Sequence, residues 1–392
     1  MKVARFLLIC ILLTLLVSTP VFGAKPGKPP PPPSLSQKLI LKEGTNQLAV
    51  SDTFAKKAIY LFDICSNTEY ENTWNSTSGS SEYVDIGDAD NDGYKEIVSV
   101  FTVFTSKGVG RRWVSDLRLN LWENGSLSSP TITTSLGDIF HSSARDLKIA
   151  DADNDGKNEV VLACGNYIAV LEYSFLILGF ELLWKSEDTG ALIWSVSIGD
   201  VDNDGFNEVV GARFRDGYAL VWKYAGGAWV EVGKTESIGQ YNIDCAEVGD
   251  VDNDGLNEIV GGGTSNRINI WRFNGTNYKS IWISDDLGGF TQGVDVGDVD
   301  GDGRNEIVAG ASNSTLSKLH VIKFNVTQYA IVWSHNLGSP IDIVRVGDSD
   351  NDGENEFVVG GKYLSIFKHG TSQYYLAWTR NLGVELSSIA IG

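Results

Sequence analysis

Asp200-Val-Asp-Asn-Asp-Gly-Phe-Asn-Glu208 is one of six copies of a nine-residue pattern; the others occupy 88–96, 151–159, 250–258, 298–306 and 348–356. Every copy reads D-x-D-[NG]-D-G-x-[NK]-E, with carboxylates at positions 1, 3, 5 and 9 and glycine at 6. A short loop wrapped round an ion turns alternate side chains inward, and a hard cation such as Ca²⁺ takes roughly six to eight oxygen ligands. Position 7 would supply only its backbone carbonyl. That fits its free variation among Tyr94, Lys157, Phe206, Leu256, Arg304 and Glu354. Glycine at position 6 permits a sharp turn that a Cβ hinders.

The candidate metal ligands are therefore Asp88, Asp90, Asp92 and Glu96; Asp151, Asp153, Asp155 and Glu159; Asp200, Asp202, Asp204 and Glu208; Asp250, Asp252, Asp254 and Glu258; Asp298, Asp300, Asp302 and Glu306; and Asp348, Asp350, Asp352 and Glu356. An EF-hand loop is the rival reading, but it closes on a later Glu and lies between helices. Here the flanks alternate apolar residues as strands do, for example Val84/Ile86, Val196/Ile198 and Val344/Val346. A metal-free Asp/Asn/Gly turn would account for one copy. Six copies at near-constant spacing favour a cation.

The copies lie 63, 49, 50, 48 and 50 residues apart, which marks repeats rather than separate domains. In the stretch 245–293 the apolar pattern gives strand a at 245–249, the acidic loop, strand b at 258–262, strand c at 268–273 and strand d at 278–284. Four short strands in such a repeat form a propeller blade. Near the start, 46–50, 58–64 and 70–76 read as b, c and d with no strand a before them. The chain ends on Leu386-Ser-Ser-Ile-Ala-Ile-Gly392, which reads as a strand a with no blade of its own. Pairing the two removes an open edge. The expected fold is all-β: a seven-bladed β-propeller of four-stranded antiparallel blades over 40–392, its ring closed by the C-terminal strand. The stretch 43–47 sits where a seventh loop belongs but has no Asp, so about six Ca²⁺ are expected.

Residues 1–23 read as a signal peptide, with Lys2 and Arg5, an apolar run over 6–17 and a small-residue cleavage site at 21–23. Residues 24–39 form a Pro-rich linker. The expected location is secreted or cell-surface, with no membrane span after cleavage and a monomeric state. Sequons at Asn75, Asn124, Asn274, Asn313 and Asn325 are compatible with that. Cys10 leaves with the signal peptide, and Cys65, Cys164 and Cys245 read as small buried apolar residues. The formal charge is −19, yet 24 of the 50 Asp and Glu residues belong to the six loops. The acidity is metal demand. No basic patch able to release phosphate counterions is present, which excludes nucleic acid as a partner.

The six loops, flanked by Val-x-x-Gly-type strands, resemble the FG-GAP (VCBS-type) repeats of integrin α-subunit-like propellers over about residues 40–392. The resemblance implies Ca²⁺ on loop positions 1, 3, 5 and 9; Glu stands at the last position, where that family often has Asp. The Phe-Gly/Gly-Ala-Pro half of the family pattern is poorly kept.

No catalytic constellation emerges. His141, His320, His335 and His369 lie in different repeats and read as surface residues, and no nucleophile-elbow or zinc-protease motif is present. The reading is a non-catalytic binding or adhesion module for an extracellular glycan or protein; the alternative is a polysaccharide lyase or hydrolase working at the central channel. The ligand face is expected at the end opposite the acidic loops. The b–c connection at 101–116 is long and carries Arg111, Arg112 and Trp113, with Arg213 and Arg215 across the ring. Phe140, His141, Arg145, Trp194, Phe214, Tyr241 and Phe290 belong to the same end. Asp85, Lys148, Glu247, Asp295 and Arg345 share one strand-a position and are expected to pair round the channel. Trp74, Trp184, Trp282, Trp333 and Trp378 recur in strand d as packing residues.

Overall fold

The strand that follows each acidic loop is apolar along its length because both of its faces are covered. Glu159–Cys164, Glu208–Arg213, Glu258–Gly263 and Glu356–Gly361 are buried at every position. The outermost strand of a repeat keeps one face in water, and Ala228–Lys234 has no buried residue. These two patterns are those of the second and fourth strands of a blade stacked between neighbours.

The computed structural model describes residues 48–52, 59–66, 69–75, 83–105, 112–120, 122–123, 126–127, 132–135 and 142–392. It describes side chains at 48, 49, 51, 83–100 and 142–392. Among these residues the strands form seven four-stranded antiparallel sheets and one two-stranded ribbon, with no helix. The fold is a seven-bladed β-propeller. One blade runs Ile243–Gly249, Glu258–Gly263, Asn269–Phe273 and Tyr278–Ile283. The sequence reading of this blade differs by no more than two residues at any strand end.

One blade is built from both ends of the chain. Its sheet orders Glu69–Asn75, Ile59–Ser66, Leu48–Asp52 and Leu386–Ile391, with Leu48 opposite Ile391 and Val50 opposite Ile389. The closing strand also meets the next blade, where Ser388 Oγ accepts a hydrogen bond from Val84 N at 3.2 Å. Inner strands approach closely where glycine ends them. A Cβ on Gly199 would stand 2.7 Å from Val248 Cγ1 of the following blade.

Apolar layers fill the spaces between blades. Val210 and Val221 of one blade pack with Ile243, Ile259 and Trp271 of the next, all buried. The fourth-strand tryptophans seal these layers. Trp184 stacks on Trp229 of the next blade at 5.1 Å, Trp282 meets Tyr329 at 5.0 Å, and Trp333 meets Tyr374 at 5.4 Å. Cys164 and Cys245 are buried and not disulfide-bonded.

Two readings change. The long 101–116 connection is not a loop throughout: Glu96–Thr105 and Arg112–Asn120 pair as far as Thr105 with Arg112. Glu96–Thr105 outruns the six-residue strands Glu159–Cys164, Glu208–Arg213, Glu258–Gly263 and Glu356–Gly361 by four residues, or about 13 Å of strand. His320 is not a surface residue. It is 4% exposed, with Nδ1 2.8 Å from Ser334 Oγ and Nε2 3.3 Å from the Leu287 carbonyl, and burial lowers its pKa. The signal-peptide and linker readings, the 43–47 remnant, Arg111, Phe140, His141 and Asn124 lie outside the described residues. So do the side chains of Arg112, Trp113, Trp74 and Cys65. Among the described residues no helix is long and apolar enough to cross a membrane.

Removing residues 386–392 leaves Leu48–Asp52 as an unpaired edge. The truncated chain is expected to associate or aggregate in size-exclusion chromatography with light scattering. A monomer with unchanged melting would show that closure contributes nothing.

Candidate metal loops and the channel mouth

Each acidic loop is shaped by its own carboxylates. Oδ2 of the first Asp accepts a hydrogen bond from the N–H of the Gly at position 6, at 2.7–3.0 Å in all six copies. The Asp at position 5 accepts the N–H of position 7 at 2.9–3.2 Å. The Gly needs its freedom: Gly93, Gly156, Gly205, Gly255 and Gly353 have φ of 90–93°. The terminal Glu reaches back across the turn, its Oε2 accepting the N–H of position 2 at 2.8–3.1 Å. Asp has one methylene fewer for that reach, and Glu stands there in every copy.

The asparagines had no part in the metal reading, and the structure gives them one. Position 4 is in the left-handed region, with φ of 59–65° for Asn91, Asn154, Asn203, Asn253 and Asn351 and 73° for Gly301. From there its Oδ1 accepts the backbone N–H of position 8 in the next blade: Asn158, Asn207, Asn257 and Asn305, at 2.6–2.7 Å. The Asn at position 8 then donates Nδ2 to the first Asp carbonyl of the preceding loop, at 2.8–3.1 Å in five copies. The loops are thus tied into a chain round one end of the ring. The exception has a reason: Lys95 takes position 8 in the first copy, whose preceding blade has no Asp-bearing loop.

The donor set is all oxygen, as Ca²⁺ prefers. One oxygen from each of Asp88, Asp90 and Glu96, and from each of Asp151, Asp153 and Glu159, lie within 4.8 Å of one another. Asp151 Oδ1 is buried without a hydrogen-bond partner. Burial, with Asp90 beside it, pushes Glu96 up to about 8; burial does the same to Glu159, with Asp153 adding to it. Burial and then Asp92 raise Asp90 to about 6. These two loops fit a divalent cation, and the same closeness recurs among Asp200, Asp202 and Glu208, among Asp250, Asp252 and Asp254, and among Asp298, Asp300 and Asp302. The other four each hold a basic side chain from strand c among the carboxylates. Lys223 Nζ lies 3.2 Å from Asp202, 2.6 Å from Asp204 and 2.8 Å from Glu208. Burial opposes its charge, but the hydrogen bonds it donates to those carboxylates hold its pKa above the ordinary lysine value.

Three residues before the acidic loops, the shared strand-a position pairs internally. Lys148 Nζ is 2.9 Å and Arg345 3.5 Å from Glu247, which also accepts from Ser197 Oγ at 3.0 Å. Asp85 accepts Ile149 N and Asp295 accepts Val346 N, at 2.9 and 2.8 Å. Above this ring opens a cavity of about 310 Å³, lined among others by Arg145, Trp194, Asp244, Gln292, Asp342 and Glu385. Trp194 is no open platform: Phe214 stacks on it at 4.9 Å and the Arg145 guanidinium lies 4.5 Å from its centroid. Arg145 Nε and Asp244 Oδ1 are buried without partners. Burial alone raises Asp244 to about 6, and burial with Glu385 nearby does the same for Asp342. Tyr241 and Phe290 are each 50% exposed. Arg213, expected on the rim, is buried at 8% exposure over the Tyr218 ring, while Arg215 is exposed. Arg213 is a packing residue because its strand is covered on both faces.

Fold and loops together define a β-propeller with a carboxylate loop on six of its seven blades. The chain carries FG-GAP-like repeats: residues 200–260 and 250–309 each match the family model for the FG-GAP-like repeat. No curated protein matches the sequence. Among solved structures, a candidate 6-phosphogluconolactonase from Bacteroides uniformis aligns at 9% identity over 89% of this chain and 100% of its own, with a TM-score of 0.64. One from Bacteroides fragilis aligns at 12% identity over 89% and 98%, TM-score 0.66. A Lactobacillus plantarum protein aligns at 9% over 89% and 99%, TM-score 0.64. At such identity the likeness is one of fold alone.

Asn207→Ala removes the Nδ2 bond to Asp151 and keeps the backbone bond to Asn154. The expected loss is about 1 kcal/mol, the worth of one hydrogen bond, read by denaturant unfolding with Ca²⁺ present. Lys95→Ala, at the unclamped copy, is expected to be neutral. Equal losses in both would contradict the clamp.

Proposed function

We propose that this chain is a secreted or cell-surface, calcium-stabilised propeller that binds a glycan at its channel mouth. The observation that carries the reading is the pair of buried, partnerless groups there, Asp244 Oδ1 and Arg145 Nε. Buried polar atoms are ordinarily satisfied, and a carboxylate held near 6 by burial costs stability at neutral pH. Such cost gathers at binding and catalytic sites. Asp244, Asp342 and Glu385 offer acceptors to sugar hydroxyls, Arg145 and Gln292 offer donors, and exposed Tyr241 and Phe290 offer flat apolar faces for pyranose rings. The proposed face also takes in exposed Arg215 and the long hairpin of Glu96–Thr105 and Arg112–Asn120. The acidic loops occupy the other end and hold the scaffold.

Capture on a glycan array with Ca²⁺ present tests the reading. Tyr241→Ala is expected to lose capture with calcium-loaded melting unchanged, and Asp244→Asn to lose capture with no loss of stability; full capture by both would place the site elsewhere. Turnover of a captured glycan, lost in Asp244→Asn, would instead make the mouth an active site.

Asp244→Asn has a second signature. The folded-state pKa lies above the unfolded value of about 3.9, so the native chain binds more protons across the window from about 4 to 6. Stability from this group is present below that window and is lost as pH rises through about 6. The amide is therefore expected to stabilise the protein by about 1–3 kcal/mol at pH 7 and to leave it unchanged at pH 4. A pH-independent difference would refute the burial account.

A further inference from the structure

The six acidic loops share one sequence pattern, yet the residue facing the terminal Glu from strand c divides them. Register puts Lys223 opposite Glu208. The pairings Ile259–Trp271, Ile307–Ile322 and Phe357–Phe367 put Arg272, Lys323 and Lys368 opposite Glu258, Glu306 and Glu356. Each of these four cations lies among the carboxylates at loop positions 3, 5 and 9. Lys323 Nζ is 2.7 Å from Asp300, 2.7 Å from Asp302 and 2.9 Å from Glu306. Lys368 meets Asp350, Asp352 and Glu356, and Arg272 meets Asp252, Asp254 and Glu258.

The first two loops differ. The pairing of Val160 with Leu171 puts Glu172, a further carboxylate, opposite Glu159. Lys157 binds Glu172 at 2.7 Å from the outside, half exposed, and lies 3.9 Å from Asp155. On the strand facing this loop Ile97 pairs with Asn120, and the sequence carries no Lys or Arg between positions 119 and 144. Among the described residues no basic side chain enters the 88–96 loop. Glu159 is 1% exposed, and its Oε2 accepts from the N–H groups of Ala152 and Asp153.

We propose that the loops are of two kinds: 88–96 and 151–159 are the divalent-cation sites, while the other four are neutralised by Lys223, Arg272, Lys323 and Lys368. An ammonium or guanidinium bridging three carboxylates uses the contacts a metal would use, and its charge repels a second cation. A Ca²⁺ ion entering such a loop must first displace a side chain tethered on the adjoining strand. The two metal loops belong to successive blades and are joined by the Asn91–Asn158 clamp. Calcium therefore consolidates one sector of the ring, beside the blade that closes it.

The test is a count of bound Ca²⁺ on the full chain by equilibrium dialysis against a calcium buffer. Two ions are expected to bind at least tenfold more tightly than any others. Lys223→Met is expected to add a third tight site, and Glu172→Lys to leave one. Hydrogen exchange after chelation is expected to rise in 83–100 and 144–174 and to stay level in 290–381. Six equivalent ions, or exchange rising evenly round the ring, would overturn the proposal. If Lys223→Met fails to fold, the wild-type count and Glu172→Lys still decide it, because a count unmoved by Glu172→Lys is equally fatal.

Discussion

A single four-stranded blade has two apolar faces and cannot cover either alone. Strand b shows the consequence most plainly, since Glu208–Arg213 is buried at every position although no part of its own sheet lies above or below it. Its cover comes from the blades on both sides, so a blade is stable only as a member of a series. A series with two ends would leave two apolar faces in water. The ring removes both, and it does so by taking one strand of a blade from the C-terminus and three from the N-terminal segment. Every other feature, including the close approach of inner strands and the alignment of loops at one end, presupposes that closure.

Stacking blades in register brings the acidic loops side by side, and the loops then carry two unlike tasks. One is local. Several carboxylates in a nine-residue turn repel one another unless a positive charge joins them, and the structure meets that need with a strand-c cation in four blades. The other is between blades. Asparagines at positions 4 and 8 join each loop to the next through backbone groups that would otherwise lack partners. Charge shapes the loop, and neutral amides connect the loops.

The polar groups deep in the channel and those at its mouth differ in how well they are satisfied. Deep in the channel, Glu247 receives Lys148, Arg345 and Ser197, and the mixed-sign ring closes on itself as its sequence pattern suggested. At the mouth, Arg145 and Asp244 keep buried atoms without partners. Residues that look alike in the sequence thus have opposite fates. Trp194 and Arg145, both expected at the ligand end, prove to be stacked on each other with Phe214 behind. Aromatic and basic residues near a strand start satisfy the same pattern whether they face solvent or a neighbouring blade.

The sequence by itself determined the repeat, the four-strand blade, the count of seven and the closing strand. Each follows from periodicity along the chain, which is local, and from matching a missing strand to an extra one. It also marked Glu at loop position 9, although its reach back to position 2 became visible only in three dimensions. The tertiary structure alone decided which loops own a cation, because Lys223 lies 15 residues beyond Glu208 and their meeting depends on strand register. It alone gave the asparagines their role, since both partners of each clamp sit on different blades about fifty residues apart. It alone buried Arg213 and His320. Pattern along a chain reports what a segment does within itself; charge pairing and burial depend on which segments the ring sets side by side.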